Sequence, residues 1–157
     1  MKLKNLASQQ QRLSWLIAQA NHLPVDQIEL RAHWARYICV LLSGFLENSL
    51  KEVYSCYARS CSAPAVGDYV ESQLERVQNP KASRFVETAQ AFNKLWASDL
   101  TAFLEEDGRK EAIDAIMANR HQIAHGKDSG ITLARISDYL AKSVRVIEFI
   151  ETQCDVK

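Results

Sequence analysis

An all-α fold is what this sequence of 157 residues predicts, as a single bundle of five to seven helices spanning residues 1–157. Three observations predict it. Turn formers are scarce, with five glycines and three prolines, under half of an average share of about 12%. Ala and Leu supply 35 residues against 24 for Val, Ile and Thr together, a balance that favours helix over sheet. Apolar residues also recur at three- and four-residue intervals along most of the chain. A chain of this length buries about two-thirds of its unfolded surface, enough to fold without a disulfide or metal.

The elements follow in order. Leu6, Leu13, Leu16 and Ile17 share a face and predict a first helix from about Leu3 to Asn21. Leu23-Pro24 breaks it, and Asp26 offers an N-cap to a second helix running from about Gln27 towards Ser60. The middle of that helix, from Tyr37 to Leu46, is apolar all round, the mark of the buried central member of a bundle. Ser62 to Gly67 reads as a loop and Asp68 to Val77 as a short helix. Asn79-Pro80 has the form of an N-cap followed by a first helical residue, opening a helix through Phe85, Phe92 and Trp96. Ser98-Asp99 can re-cap or kink it before Leu100, Phe103 and Leu104, and Asp107-Gly108 is the next break. A helix from Arg109 carries Ile113, Ile116 and Met117 on one stripe. After a loop from Gly126 to Gly130, Thr132 caps a last amphipathic helix through Ile136, Leu140, Val144, Ile147 and Ile150.

Charge and cysteine usage exclude several functions. Nineteen basic and 19 acidic residues cancel, so a uniformly basic nucleic-acid coat is ruled out while a local basic cleft is not. Cys39, Cys56, Cys61 and Cys154 form no C-x-x-C pair, and His22 and His33 fall in no metal-binding pattern. The cysteines read as small apolar core residues in a reducing cytosol, with no metal and no cofactor expected. Trp15, Trp34 and Trp96 lie among aliphatics at helical spacing and read as core or dimer interface. The first residues hold no hydrophobic signal region, and the longest uncharged apolar stretch is ten residues, Tyr37 to Leu46, against the ~20 of a membrane helix. A cytoplasmic chain that does not enter the membrane is expected.

The chemistry concentrates in Asn119-Arg120-His121-Gln122-Ile123-Ala124-His125-Gly126. His121 and His125 are one turn apart, as zinc-binding histidines are, but Gln122 stands where a zinc peptidase has its glutamate base, and no third ligand is visible. A metal-free reading pairs Arg120 with His125. Arg120 falls beside the apolar stripe, where an arginine is costly unless it lines a cleft or meets an anion. Arginine cannot act as a base, but its fork matches a phosphate. Histidine exchanges a proton near neutral pH. Side chains five residues apart diverge by about 140° on an ideal helix, so both reach one ligand only if the helix ends there or a second subunit supplies one of them. The pair then serves metal-free RNA cleavage: the 2′-hydroxyl attacks, His125 moves the proton, and Arg120 steadies charge on phosphorus. Taken alone the spacing is weak evidence, since Arg120 in an ion pair and His125 as a helix cap would look the same.

Arg-His-Gln-Ile-Ala-His-Gly, followed by a short loop and Ile-Thr-Leu-Ala-Arg-Ile-Ser-Asp-Tyr-Leu, resembles a HEPN domain of the branch named for its RiboL-PSP association. Arg120, the polar His121 and His125 before a small residue fill the places of that signature. The resemblance runs from about Leu23 to Glu151 and is strongest over Asn119–Leu140 and Trp34–Tyr54. It implies an all-α bundle that pairs two-fold, bringing two Arg/His sets into one cleft. Many such proteins are metal-independent endoribonucleases acting as toxins, in phage defence or in RNA processing. Others are non-catalytic modules that bind RNA, a nucleotide or a partner protein. An antitoxin or sensor protein is then a possible partner. One feature departs from the toxins regulated by a nucleotidyltransferase: Ala124 stands where they carry tyrosine.

Three further sets of residues are candidates. Arg36, Val40, Ser43 and Glu47 form a partly polar stripe on the apolar second helix. Glu47 on that stripe can orient Arg120 or a histidine, or pair structurally with Arg36 or Lys51. His121 either contacts substrate or helps the proton transfer, or is plain helix surface. Between Arg120 and Arg145 five cations face only Asp128 and Asp138, and Lys127, Arg135 and Lys142 are the candidate contacts to an RNA backbone. The expectation is an Arg120/His125 endoribonuclease acting as a homodimer, with a non-catalytic RNA-, nucleotide- or partner-binding module as the alternative.

Overall fold

In the computed structural model, which describes residues 1–155, α1 (Lys4–Asn21) and α2 (Ile28–Cys61) pack antiparallel. Asn5 bonds Glu52, and four residues further along α1 Gln9 faces Asn48 at 3.4 Å. With 34 residues, α2 is about 51 Å long and packs against α1, α3 (Pro64–Leu74), α6 (Arg109–Ala124) and α7 (Leu133–Gln153). It is the central helix the apolar run predicts: Ile38, Cys39, Leu42, Phe45, Leu46 and Leu50 are all buried. The remaining helices, α4 (Ala82–Phe92) and α5 (Lys94–Glu105), form a hairpin against α6 and α7. Seven helices and no strand occur among the described residues.

Several boundaries move from where the sequence puts them. The N-cap of α2 is Gln27, not Asp26, and Asp26 instead accepts the Ile28 N–H on its backbone carbonyl. Gly67 does not sit in a loop: α3 starts at Pro64, whose fixed φ suits a first helical position. Gly67 then lies under α2, where a Cβ would come within 2.8 Å of Arg59 Cγ. Asn79-Pro80 is not a cap either. Asn79 takes a left-handed φ of 48°, and Lys81 is the extended residue before α4. The break between α4 and α5 falls at Asn93, whose side chain accepts the Leu95 N–H at 2.8 Å, rather than at Ser98-Asp99. Thr132 caps α7 as expected.

The register of α2 on α6 positions the site. The Cys39 thiol lies 3.7 Å from the Ile116 carbonyl. Further along α2, Glu47 accepts the Asn79 N–H at 2.8 Å, while Asp114, earlier in α6, accepts the Ala82 N–H at 2.8 Å. At the other end, Ile28, Arg31 and Ala32 share a cavity of about 270 Å³ with Ile131 to Ala134, which follow α6. The two helices therefore run antiparallel, and the last turn of α6 lies beside the first turns of α2.

Of the tryptophans, Trp34 and Trp96 are half-buried, and Trp96 meets Tyr57 edge-on at 5.0 Å. Trp15 points outward at 60% exposure and belongs to no core. All four cysteines are free, with Cys39 and Cys154 buried, Cys56 half-buried and Cys61 exposed.

Candidate functional site

The motif stands where α6 stops, and the stop is built by backbone. His125 is the C-cap, Gly126 follows with φ 67°, and the Gly126 and Lys127 N–H groups return to the Ile123 carbonyl (3.1 Å) and the Gln122 carbonyl (2.9 Å). This pair of bonds is the Schellman arrangement, which needs a residue free to adopt the left-handed conformation at the second position. Gly126 meets that need, so the chain turns away directly after His125.

The side chains divide between two environments. His121 and His125 are exposed, and their rings meet edge-on with centroids 4.4 Å apart. No third His, Cys, Asp or Glu joins them in a metal-binding group among the described residues. Arg120 is half-buried on the side of α6 that packs on the bundle, and no carboxylate among the described residues lies within ion-pair distance of it. An arginine held this way keeps its five donors for an anion. Within one chain, Arg120 and His125 thus lie on different sides of the last turn, as the helix geometry predicts.

Other candidates are placed as follows. Glu47 takes none of the partners the sequence offers it. Its carboxylate holds the Asn79 backbone N–H and makes no ion pair among the described residues; Lys51 pairs instead with Glu75 at 2.9 Å. From the Cys39–Ile116 register, Glu47 and Arg120 lie at opposite ends of the α2/α6 contact, about 18 Å apart along the helix axes. Lys127, in the loop after the motif, and Arg135, in the first turn of α7, are exposed, without carboxylate partners among the described residues. Lys142 is not with them. It pairs with Asp138 at 2.7 Å, and its Nζ lies 3.6 Å from where a Cβ on Gly108 would stand, at the opposite end of α6 from the motif. Antiparallel packing of α6 and α7 explains this: by the middle of α7 the chain has returned towards the start of α6.

A sequence model of the RiboL-PSP-HEPN family matches residues 5–156. The chain belongs to this family. The match spans all seven helices of the HEPN domain rather than the motif alone. No curated protein and no solved structure matches the domain. None of the helices in the described part of this HEPN domain is long and apolar enough to cross a membrane.

The sequence treats Arg36 only as a partner for Glu47, and the structure does not pair them: Arg36 donates Nε to the Ala32 carbonyl at 3.3 Å and makes no ion pair among the described residues.

Proposed function

We propose that this HEPN domain is a metal-independent endoribonuclease acting as a homodimer, with Arg120 and His125 catalytic. The supporting observation is Arg120 itself: a half-buried guanidinium with no carboxylate partner among the described residues, directly before a pair of exposed histidines, His121 and His125, at a helix end. The 2′-oxygen of the RNA forms a bond to phosphorus as the bond from phosphorus to the 5′-oxygen breaks, leaving a 2′,3′-cyclic phosphate and a 5′-hydroxyl. His125 takes the 2′-hydroxyl proton, and a protonated histidine, His121 or that of a second copy, gives one to the departing oxygen. Arg120 neutralises the extra charge on the phosphoryl oxygens. Because Arg120 and His125 diverge within one chain, a two-fold pair that shares one cleft accounts for their joint action. Lys127 and Arg135 lie next in sequence to hold the flanking backbone. A role as a toxin, in phage defence or in RNA processing, with an antitoxin or sensor as partner, fits such an activity.

The test is incubation of the purified protein with total RNA and a tRNA pool in EDTA, beside Arg120→Ala and His125→Ala. Cleavage that persists in EDTA and falls by at least about 10²-fold in each variant is the expected result. Undiminished cleavage by both variants would sink the mechanism. RNA that is bound but never cut would favour the non-catalytic binding module.

A further inference from the structure

The flank of the α2/α6 seam that carries Arg120 holds a second arginine. Cys39 on the Ile116 carbonyl sets the register. Arg36 stands three residues before Cys39 and Arg120 four residues after Ile116, so on antiparallel helices both lie towards the same end, about 4.5 and 6 Å along. Rotation by about 100° per residue carries Arg36 roughly 60° and Arg120 roughly 40° from the line of contact. Because the helices run in opposite directions, those two rotations lead to the same flank.

That flank is open at this level and closed further along. Val40, next round α2, is exposed, as are His33 and His121. At the far end the Asn79–Ala82 segment covers the seam, held by Glu47 and Asp114. Both carboxylates are engaged with backbone N–H groups there. Nearest to Arg36 on its own stripe is the exposed Glu29, two turns away. Arg36 makes one hydrogen bond, Nε to the Ala32 carbonyl at 3.3 Å, and no ion pair among the described residues. Two half-buried guanidiniums at one level with no counter-anion repel each other, and an anion with several charged oxygens relieves that repulsion.

We propose that Arg36 is the second cation of the RNA site, holding the phosphate next to the one Arg120 steadies; this rests on the reading that the site takes RNA. Arg36 is then a binding and positioning residue that fixes the strand's register over the histidines.

The experiment measures affinity for a 2′-O-methyl RNA oligonucleotide, which cannot supply the attacking hydroxyl, over a series of salt concentrations. Arg36→Ala weakens binding roughly tenfold and lowers the slope of log affinity against log salt by about one. Arg36→Lys keeps the slope but recovers only part of the affinity, since lysine lacks the fork. Lys94→Ala, at the exposed start of α5, leaves both unchanged. Thermal melts check the fold, and if Arg36→Ala melts lower, Arg36→Gln gives the same readout with more of the stem kept. RNA bound by the wild type and weakened by Arg120→Ala, with affinity and slope untouched in the Arg36 variants, overturns the proposal and leaves the ribonuclease reading standing. A wild type that binds no RNA overturns both.

Discussion

Cys39 shows how one residue's surroundings set its chemistry. Its thiol lies between α2 and α6 against the Ile116 carbonyl, and burial pushes its pKa up to about 12. Burial, with Cys56 nearby, raises Cys154 to about 12 as well. Since the thiolate is the nucleophile, a raised pKa makes these two sulfurs unreactive at neutral pH. Iodoacetamide at about pH 8, below the usual thiol range, is expected to modify the exposed Cys61 first and to leave Cys39 and Cys154 intact until urea unfolds the chain. Mass spectrometry of the peptides checks this; early modification of Cys39 would contradict the α2/α6 packing. The fold favours the protonated thiols, so their contribution is complete below the unfolded thiol pKa and is lost as pH rises from there towards 12.

At the scale of the helix, the end of α6 is the element on which the site depends. An added Cβ on Gly126 meets nothing within 4 Å, so Gly126→Ala acts through the left-handed backbone alone and is expected to cost about 1 kcal/mol. Gly126→Asn should cost less, because asparagine tolerates that conformation. Chemical denaturation measures both, and equal losses would mean that the cap is not the cause. Deeper in the same helix, the fully buried Ile116 should lose about 2–5 kcal/mol on truncation to Ala. Much of this element was legible in advance, because Ile113, Ile116 and Met117 mark its face and Gly126 its end. The α4/α5 boundary was not. Phe85, Ala89, Phe92, Trp96 and Leu100 keep helical spacing straight through Asn93, so periodicity conceals a break that only the asparagine cap marks. The site was legible in part for a similar reason. Arg120 and His125 announce themselves in one stretch of chain, whereas Arg36, which we propose joins them, and Lys142 and Glu47, which lie away from them, are placed by packing between helices far apart in sequence.

Over the whole molecule, the residues before α1 are tied to the last helix. Glu151 on α7 is 1% exposed, and its carboxylate accepts the Lys2 N–H at 2.8 and 3.0 Å and the Leu3 N–H at 3.1 Å. This clasp supplies acceptors where α1 begins, since Leu3 has no capping side chain. The bonded residues are 149 positions apart, so the clasp closes a loop of nearly the entire described chain. Closing such a loop carries an entropic cost that is recovered only after the helices between have assembled. The clasp should therefore be absent from the folding transition state. Glu151→Gln is expected to accelerate unfolding while leaving the refolding rate nearly unchanged, a low φ-value readable from the two arms of a chevron plot. A clasp between the start of α1 and the last helix would then act as a lock on how long each folded molecule lasts rather than as a guide to how it forms.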